Sequence, residues 1–267
     1  MRVHLVDGTY ELFRYFFALP AHVNGDGQDV AAARGVVGSM LQLLEDGATH
    51  VGIATDHVIE SFRNDLWATY KDGSGVDPVL FAQFPLLEEA LEAAGFTVWA
   101  MVEFEADDAL GAGAAMAAAD PRVEQVLICT PDKDLGQCVT DDARIVQYDR
   151  RKRQLVDRAG VIEKFGVPPE SIPDYLALVG DSADGFPGLP GWGAKSAAAV
   201  LARYGHLEDI PAAAGQWDVT VRGGAKLAAT LQNQYEEALL FRRIATIEAD
   251  APVSSSVDEL EWMGPSP

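Results

Sequence analysis

Acidic residues recur in five short clusters, and most of these clusters follow a segment that the sequence predicts to be a strand. Together they supply nine carboxylates: Asp7, Asp56, Glu105, Asp107, Asp108, Asp132, Asp134, Asp181 and Asp184. Carboxylates gathered at one edge of a sheet repel one another unless divalent cations lie among them. Two cations held close together by such a cluster are a known arrangement for phosphodiester hydrolysis. The clusters therefore predict a metal-dependent nuclease.

Two of the clusters have spacings that bring their side chains together. Glu105 and Asp108 are three residues apart, which places both on one face of a helix, and Asp107 reaches the same site from the first turn. Asp132 and Asp134 are two residues apart, so both point the same way in an extended turn, and the lysine between them is expected to point elsewhere. Either cluster alone is also compatible with an ordinary acidic helix start or loop. The recurrence of such clusters after predicted strands favours the metal site.

Short apolar runs alternate with amphipathic segments over roughly the first 150 residues, which predicts an α/β fold with a mostly parallel sheet and helices on both faces. The predicted strands are residues 3–7, 49–56, 96–101, 124–130, 143–149 and 153–157, and the predicted helices include residues 9–19, 30–46 and 61–70. Ligands bind such sheets at the carboxyl ends of the strands. Asp7, Asp56 and Asp132 all fall there. Beyond residue 158 the pattern is helical.

A glycine-rich hairpin precedes a predicted helix in the segment GDSADGFPGLPGWGAKSA. Gly188, Gly191 and Gly193 would let the backbone approach a phosphate, and the helix start offers free N–H groups. Lys195 and Ser196 lie in the first turn and add a charge and a hydroxyl group. A helix-hairpin-helix of this kind binds the DNA backbone without reading its sequence, although a purely structural turn between helices remains the alternative.

The overall charge is unusual for a protein that binds nucleic acid. The chain has 267 residues with 41 acids and 20 bases, a net charge of −21. Without the nine clustered acids, 32 acids still face 20 bases, so a metal site does not explain the acidity. Phosphate binding needs a basic surface, and a run of four bases is the visible candidate for duplex contact. These four bases are Arg150, Arg151, Lys152 and Arg153.

Other sequence features bear on the cellular compartment and on the type of metal site. There is no apolar run of about 18 residues, so no membrane span is expected, and the first residues do not resemble a secretory signal. Two cysteines, Cys129 and Cys138, suit a reducing cytoplasm and argue against a metal–thiolate site. Cys129 and Trp192 are expected to pack in the interior. His57 is not expected to be a metal ligand, because an all-oxygen site suits Mg²⁺ or Mn²⁺.

Five segments, in this order, resemble the flap endonuclease family, specifically the 5′-nuclease domain of bacterial DNA polymerase I and its stand-alone relatives. They are LVDG, SFR-x₆-YK, EADD, TPDKDL and GDSADGFPGLPGWGAKSA, and the resemblance extends from about residue 2 to about residue 250. It implies a PIN-like (resolvase-like) nuclease core at residues 1–157 with a helical arch at about 61–80. It further implies a helix-three-turn-helix (H3TH) subdomain at 158–250, followed by a C-terminal tail at 251–267.

The resemblance also implies an activity, which is two-metal hydrolysis of DNA at a 5′ end, a flap or a junction between single strand and duplex. The first metal site would comprise Asp7, Asp56, Glu105 and Asp107, and the second Asp132, Asp134, Asp181 and Asp184, with Asp108 beside them. Carbonyl groups around residues 186–193 would hold a potassium ion. Lys71 would contact the scissile phosphate, and Arg14 would bind a phosphate as well.

The sequence departs from the family pattern at the arch. Close relatives have an arginine three residues after the arch lysine, where this chain has Ser74, and Asp72 and Asp77 make the arch acidic. A catalytically impaired, structure-specific DNA-binding protein is therefore one alternative. A PIN-type ribonuclease is the other, although such small ribonucleases lack a helix-hairpin-helix. The expected partner is DNA, and RNA–DNA primer junctions are a further expected partner. The expected oligomeric state is a monomer.

Overall fold

The computed structural model describes residues 1–265, which contain one six-stranded sheet. The strands are β1 Arg2–Asp7, β2 His50–Asp56, β3 Thr97–Met101, β4 Gln125–Cys129, β5 Ile145–Asp149 and β6 Gln154–Val156. They lie in the order β3-β2-β1-β4-β5-β6. The first five are parallel and β6 is antiparallel to β5. The six predicted strands are confirmed to within two residues at each end.

Helices surround the sheet and make up most of the second part of the chain. The described residues contain α1 Gly8–Ala18, α2 Ala31–Glu45, α3 Arg63–Leu66, α4 Pro78–Phe81, α5 Gln83–Ala93, α6 Ala106–Ala119, α7 Arg158–Phe165, α8 Ile172–Val179, α9 Ala194–Tyr204, α10 Gly224–Asn233 and α11 Tyr235–Ala245. Short 3₁₀ turns occur between them, and one of these, Asp134–Cys138, follows β4.

Both faces of the sheet are buried, which explains why its strands read as nearly continuous apolar runs. Val6 and Ile53 point to the face that α1, α2 and α5 cover, where Met40 is fully buried. Leu5 points to the opposite face, against Leu110 of α6. The prediction of helices on both faces is confirmed. This sandwich fixes the carboxyl ends of the strands as one edge.

The helical part has an apolar core of its own. It is built from α8 to α11, and the rings of Phe186 and Phe241 stack within it at 5.7 Å between centroids. After α11 the chain returns to the sheet, where Val257 and Leu260 are buried on the α6 face. The backbone N–H of Trp262 donates to the carbonyl of Thr49 at 2.9 Å. Residues 257–262 therefore pack against the first part of the chain.

The expected helix at 61–70 is wrong in its extent, because only the four residues of α3 are helical. Beyond α3 the chain turns to the loop after α8 instead of continuing the helix. The indole N–H of Trp67 donates to the carbonyl of Gly185 at 3.1 Å, and the N–H of Lys71 donates to the carbonyl of Asp184 at 3.2 Å. The region predicted as an arch holds only α3 and the start of α4, joined by a glycine-containing turn.

Gly8 lets α1 start directly behind β1. A Cβ atom at this position would lie 2.8 Å from Cγ2 of Thr55 and 2.9 Å from the carbonyl oxygen of Ala54 in the neighbouring strand. The second contact is with backbone, which cannot move aside at low cost. The glycine in LVDG is therefore a steric requirement for placing the end of β1 beside the end of β2.

Replacing Gly8 with alanine should lower the free energy of unfolding by about 1–3 kcal/mol through overpacking. Urea unfolding followed by circular dichroism measures this. Gly38→Ala is the matched control, because Gly38 is exposed within α2 and its Cβ would meet no atom within 4 Å. That variant should gain about 0.5–1 kcal/mol from helix propensity. Equal effects at both positions would contradict the steric explanation.

Candidate metal centre

Eight of the nine clustered carboxylates converge at the carboxyl edge of the sheet. Asp7 and Asp56 end β1 and β2, Asp107 lies in the first turn of α6, and two further acids follow β4. Carboxylate oxygens of Asp134, Asp181 and Asp184 lie within 4.8 Å of one another. The loop after α8 supplies the last two, so both parts of the chain contribute to one site.

Hydrogen bonds from neighbouring helices orient the two acids at the strand ends. Asp7 caps α1, since its Oδ1 accepts from the N–H of Tyr10 at 2.7 Å, while its Oδ2 accepts from the hydroxyl of Thr130 at 3.0 Å. Oδ1 of Asp56 accepts from the N–H of Ala106, the first residue of α6, at 2.8 Å. Positive helix ends thus partly offset the negative charge of the cluster.

The cluster is electrostatically strained. Burial raises the pKa of Asp7 to about 7, and repulsion by Asp56 and Asp132 adds to this rise. Burial raises the pKa of Asp184 to about 6, with repulsion from Asp181 among the further causes. The neutral forms are favoured because too many negative charges share a dry site.

Asp134 and Asp107 show the same effect more strongly. Burial and then the charge of Asp132 raise the pKa of each carboxyl group well above its usual value. Oδ1 of Asp134 is buried and has no hydrogen-bond partner. An acceptor oxygen in this position is costly unless a cation meets it. The donor set is entirely oxygen, so the residues fit a hard divalent cation such as Mg²⁺, Mn²⁺ or Ca²⁺.

Two lysines enter the acidic cluster. Nζ of Lys71 lies 2.6 Å from Oε2 of Glu105 and 3.9 Å from Oδ1 of Asp184. Burial alone would raise the pKa of Glu105, but Lys71 and Arg63 together hold it below its usual value. Lys133, expected to point away from the site, instead forms an ion pair with Asp181. Lys71 thus lies beside the acids, and its contact with the scissile phosphate stays a prediction.

Asp108 does not belong to the cluster, contrary to expectation. Its side chain is fully buried, and the two carboxylate oxygens accept from the two terminal nitrogens of Arg63 at 2.7 Å each. They also accept from the N–H groups of Glu105 and Glu248 at 3.0 and 2.8 Å. With both oxygens satisfied in this way, Asp108 has no lone pair directed at a cation. Its role is to neutralise a buried arginine.

Arg63 connects the two parts of the chain, a role that the sequence reasoning missed. Besides Asp108, its guanidinium group donates to the carbonyls of Ile244 and Thr246, at 2.7 and 2.9 Å, at the end of α11. The arginine in SFR was part of the family resemblance without an assigned role. A buried arginine needs a buried acid, and the second aspartate of EADD is the signal that could have identified the pair.

The other predicted basic residues are mostly engaged elsewhere. Arg14 forms an ion pair with Glu11 and lies over the ring of Tyr15, at 4.2 Å from its centroid. Arg150 lies 3.4 Å from the same glutamate and donates to the carbonyl of Ser39 at 3.0 Å. Their binding of phosphate stays a prediction.

The remainder of the basic run forms the turn between β5 and β6. Nζ of Lys152 lies 3.2 Å from Oδ2 of Asp149, whereas Arg151 and Arg153 are exposed. Arg153 has a positive φ of 52°, which is uncommon for a residue with a side chain. The run is thus divided between internal ion pairs and free cations, and its contact with a duplex stays a prediction.

The glycine-rich hairpin has the tight backbone that its sequence predicts. Gly188 has a φ of 67°, and a Cβ there would lie 2.3 Å from the backbone N of Gly180. Gly193 caps α9, and the hydroxyl of Ser196 accepts from its N–H at 3.1 Å. Lys195 is exposed at the helix start. The expected position of the hairpin before a helix is confirmed.

An open groove of about 550 Å³ lies beside the start of α9. It is lined by Gly191, Lys195 and Ser196 on one side and by Thr220 and Arg222 on the other. The second side, which comes from the loop before α10, was not predicted from the sequence. The segment VRGGAK, in which glycines precede a helix, could have indicated it. Two basic residues therefore face one groove.

Residues expected to be structural are structural. Trp192 is buried and its indole N–H donates to the carbonyl of Leu227 at 3.3 Å, and Cys129 is buried in β4. Nδ1 of His57 lies 2.7 Å from Oε2 of Glu88. Tyr70 had no assigned role, yet its hydroxyl donates to Glu105 at 3.1 Å.

Comparisons with known proteins agree with this geometry. Residues 2–166 match the model of the 5′-3′ exonuclease N-terminal resolvase-like domain, and residues 167–267 match its C-terminal SAM fold. The chain belongs to the 5′-3′ exonuclease family. It is 34% identical over 267 residues to DNA polymerase I of Bacillus caldotenax, a match that covers 97% of this chain and 29% of that protein. The chain thus spans under a third of the length of this relative.

Solved structures share the fold of the family. A T5 5′-exonuclease with bound zinc has a TM-score of 0.75 at 19% identity, covering 97% of this chain and 96% of that one. A bacteriophage T5 flap endonuclease complex with DNA and metal ions has a TM-score of 0.69 at 22% identity, covering 93% and 89%. No helix among the residues that the structure describes is long and apolar enough to cross a membrane.

Replacing Asp108 with asparagine should lower the free energy of unfolding by about 3 kcal/mol, because Arg63 would lose its main buried partner. Asp107→Asn is the matched control, one residue away. It removes a charge that its neighbours repel, so the metal-free protein should keep or gain stability. Urea unfolding in the presence of EDTA compares the two variants. If Asp107→Asn were the more damaging, the assignment of Asp108 as the structural acid of this family member would be wrong.

In the metal-free protein, the acidic cluster should destabilise the fold more strongly as the pH rises from about 4 to about 7. Asp7 and Asp184 have raised pKa values in the folded state, about 7 and about 6, so these two groups bind more protons in the native chain than in the unfolded chain in this range. Burial lowers the pKa of His4 to about 4, which acts in the opposite direction, so the test compares two variants that share His4. Urea unfolding at several pH values in EDTA should show that the stability gained by Asp134→Asn, relative to the unmodified protein, grows as the pH rises. A stability difference that stays constant through this pH range would contradict the strained cluster.

Proposed function

We propose that this chain is a structure-specific 5′ nuclease, which hydrolyses DNA phosphodiester bonds at a 5′ end, a flap or a single-strand–duplex junction. The observation that carries the proposal is the convergence of eight carboxylates at one sheet edge, with a buried oxygen of Asp134 left without a partner. Membership of the 5′-3′ exonuclease family supports it. The proposal does not extend to the other activities of the full-length relatives, because this chain matches only 29% of the length of such a relative.

Two divalent cations, Mg²⁺ or Mn²⁺, are proposed to bind in this cluster. Asp7, Asp56, Glu105 and Asp107 would hold one and Asp132, Asp134, Asp181 and Asp184 the other. When bound, such cations lower the pKa of a bound water and neutralise charge on the phosphate. The ordered carboxylates supply the negative charge that this requires, and their strain in the metal-free state would be relieved at the same time.

Lys71 is proposed to stabilise the charge that develops on the scissile phosphate. Its ammonium group already lies at the cluster, 2.6 Å from Glu105, on the segment that hydrogen-bonds to the loop of Asp184. A cation held at this place acts in a partly dry site, where its charge is effective. Arg14 is proposed to bind a second phosphate, which requires it to share its guanidinium group with Glu11.

The hairpin is proposed to hold the duplex. The first residues of α9 are exposed, with Lys195 among them, and suit a backbone phosphate. The exposed Gly191 and Gly193 allow close approach, whereas Gly188 would act indirectly, by closing the turn against Gly180. Ser196 would contribute through its hydroxyl. A potassium ion is proposed at carbonyl groups of residues 186–193. The basic turn, residues 150–153, is proposed to contact the duplex through its free members.

The setting of the reaction is also a proposal. The protein would act as a monomer in the cytoplasm, on DNA and on RNA–DNA primer junctions. Its two free cysteines suit a reducing compartment. The proposed limits are residues 1–157 for the nuclease core, 158–250 for the H3TH subdomain and 251–267 for the tail. The start of α7 at Arg158 supports the first limit.

A catalytically impaired DNA-binding protein is the second candidate. Among residues 71–77 Lys71 is the only cation, whereas Asp72 and Asp77 are acidic and Ser74 replaces the arginine expected from the family. A segment of this charge guides a phosphate strand poorly. Such a protein would bind flaps and release no product.

Cleavage of a 5′-labelled DNA flap, with Mg²⁺ or Mn²⁺ and then with EDTA, tests the two candidates. Metal-dependent product near the junction is expected, and Asp134→Asn should lower the rate by about 10³-fold or more with DNA binding largely kept. Asp120→Asn is the control, because Asp120 pairs with Arg122 at the far end of α6. Binding without product in the unmodified protein would favour the second candidate, and an RNA flap run in parallel tests a ribonuclease.

A further inference from the structure

Most basic residues of this acidic chain are neutralised within the chain. Of the 20 lysines and arginines, 11 form an ion pair with a carboxylate among the described residues. The nine without such a pair are Arg2, Arg34, Arg144, Arg151, Arg153, Lys164, Lys195, Arg222 and Lys226. Since paired cations attract phosphate more weakly, these nine are the candidates for further contacts to a DNA backbone, beyond those proposed above.

Few of the nine are close to the acidic cluster. Arg34 contacts His22, and Arg144 donates to the carbonyls of Ala118 and Asp120, so both are engaged. Lys195, Arg222 and Lys226 lie around the hairpin and the start of α10. Arg151 and Arg153 lie on the exposed turn after β5, and Arg2 opens β1 at the opposite edge of the sheet. Lys164 donates to a carbonyl group of the loop that follows β4.

Lys164 lies in the last turn of α7 and extends toward the metal-site loop. Nζ is 3.4 Å from the carbonyl oxygen of Pro131, directly before Asp132, and it lies over the ring of Phe165 at 4.8 Å from its centroid. Partial burial lowers the pKa of Lys164, whereas the charge of Asp132 raises it. The ammonium group thus lies close enough to a metal-site acid to interact with its charge, yet it forms no ion pair among the described residues.

A cleft of about 450 Å³ opens at this ammonium group. Its walls include Thr130 and Gln147, and these two residues also hold the metal-site loops. Thr130 donates to Asp7 at 3.0 Å, and Gln147 donates to the carbonyl of Asp132 at 2.6 Å. Two residues of the cleft wall thus also support acids or loops of the cluster, so the cleft lies beside the cluster.

One of the two acids that line the cleft is neutralised within the chain, and the charge of the other is exposed to solvent. Asp149 is neutralised by Lys152, which donates to it through its backbone N–H at 2.9 Å and lies 3.2 Å away through Nζ. Glu163 is exposed. A lysine in a last helical turn commonly complements the helix dipole. Here the ammonium group instead reaches a carbonyl in a different element, which places it in the cleft.

We propose that Lys164 binds a DNA backbone phosphate adjacent to the scissile one and so positions the strand in this cleft. The proposal rests on the nuclease function proposed above and adds a positioning residue to it. The chemistry recognised is a single phosphodiester anion, contacted without regard to base. Lys164 would then act on substrate binding and leave the chemical step at the metal cluster unchanged.

The test measures flap binding by two variants of the full chain. One carries Asp134→Asn alone, which prevents cleavage of the flap, and the other carries Asp134→Asn together with Lys164→Met. Methionine keeps the packing on Phe165 and removes the charge. Affinity for the flap should fall about three- to tenfold, and the slope of log K against log salt should become shallower by about 0.9. Arg2→Met is the matched control, an unpaired cation at the other edge, and should change neither.

A methylphosphonate scan separates a phosphate contact from a structural effect. Neutralising single phosphates on either side of the scissile one should weaken binding at one position, and that sensitivity should vanish in Lys164→Met and return in Lys164→Arg. Cleavage by the chain with native Asp134 should show a raised KM and an unchanged kcat. The same phosphate sensitivity with and without Lys164 overturns the inference while the nuclease proposal stands. Absence of metal-dependent cleavage in the unmodified protein would overturn the function itself.

Discussion

The mutual repulsion of carboxylates at one sheet edge is the constraint on which the rest of the structure depends. Parallel strands bring Asp7 and Asp56 to that edge, and α6 and the loop after α8 add more acids. Helix starts, the hydroxyl of Thr130 and the ammonium groups of Lys71 and Lys133 offset only part of the charge. The raised pKa values of Asp7, Asp107, Asp134 and Asp184 reflect the repulsion that remains uncompensated. Because this repulsion destabilises the fold, other interactions must hold the elements around the cluster in place.

That support comes from the pair formed by Arg63 and Asp108. It lies directly behind the cluster, and it joins α3 and α6 to the end of α11 through a fork of short hydrogen bonds. Two adjacent aspartates of α6 therefore have opposite electrostatic surroundings. The charge of Asp107 is repelled by neighbouring acids, whereas the charge of Asp108 is neutralised by Arg63. A buried ion pair of this kind adds little net stability, but removing one member is costly, so it fixes the arrangement of the two parts.

Much of the fold and of the site could be predicted from the sequence, because local patterns decide them. Apolar runs ending in aspartate gave the strands and their carboxyl edge, and glycine spacing gave the hairpin. The errors arose where partners distant in sequence decide the outcome. Spacing placed Asp108 with Glu105, but a partner 45 residues away took its oxygens. Helix propensity extended α3, but carbonyl groups more than 100 residues away drew that segment out of the helix.

The contacts between residues 67–71 and the loop at 184–185 have a mechanical consequence. Because N–H groups of the first segment end on carbonyl groups of the second, neither can shift without moving the other. The first segment carries Lys71, which contacts Glu105 of the cluster, and we call this segment the entrance; the second segment carries Asp184, a member of the cluster. Occupancy of the cluster and the position of its entrance are thereby linked, and such linkage acts in both directions. A DNA strand that displaces residues 67–71 would weaken the order of the cluster, and cations bound in the cluster would make residues 67–71 more rigid.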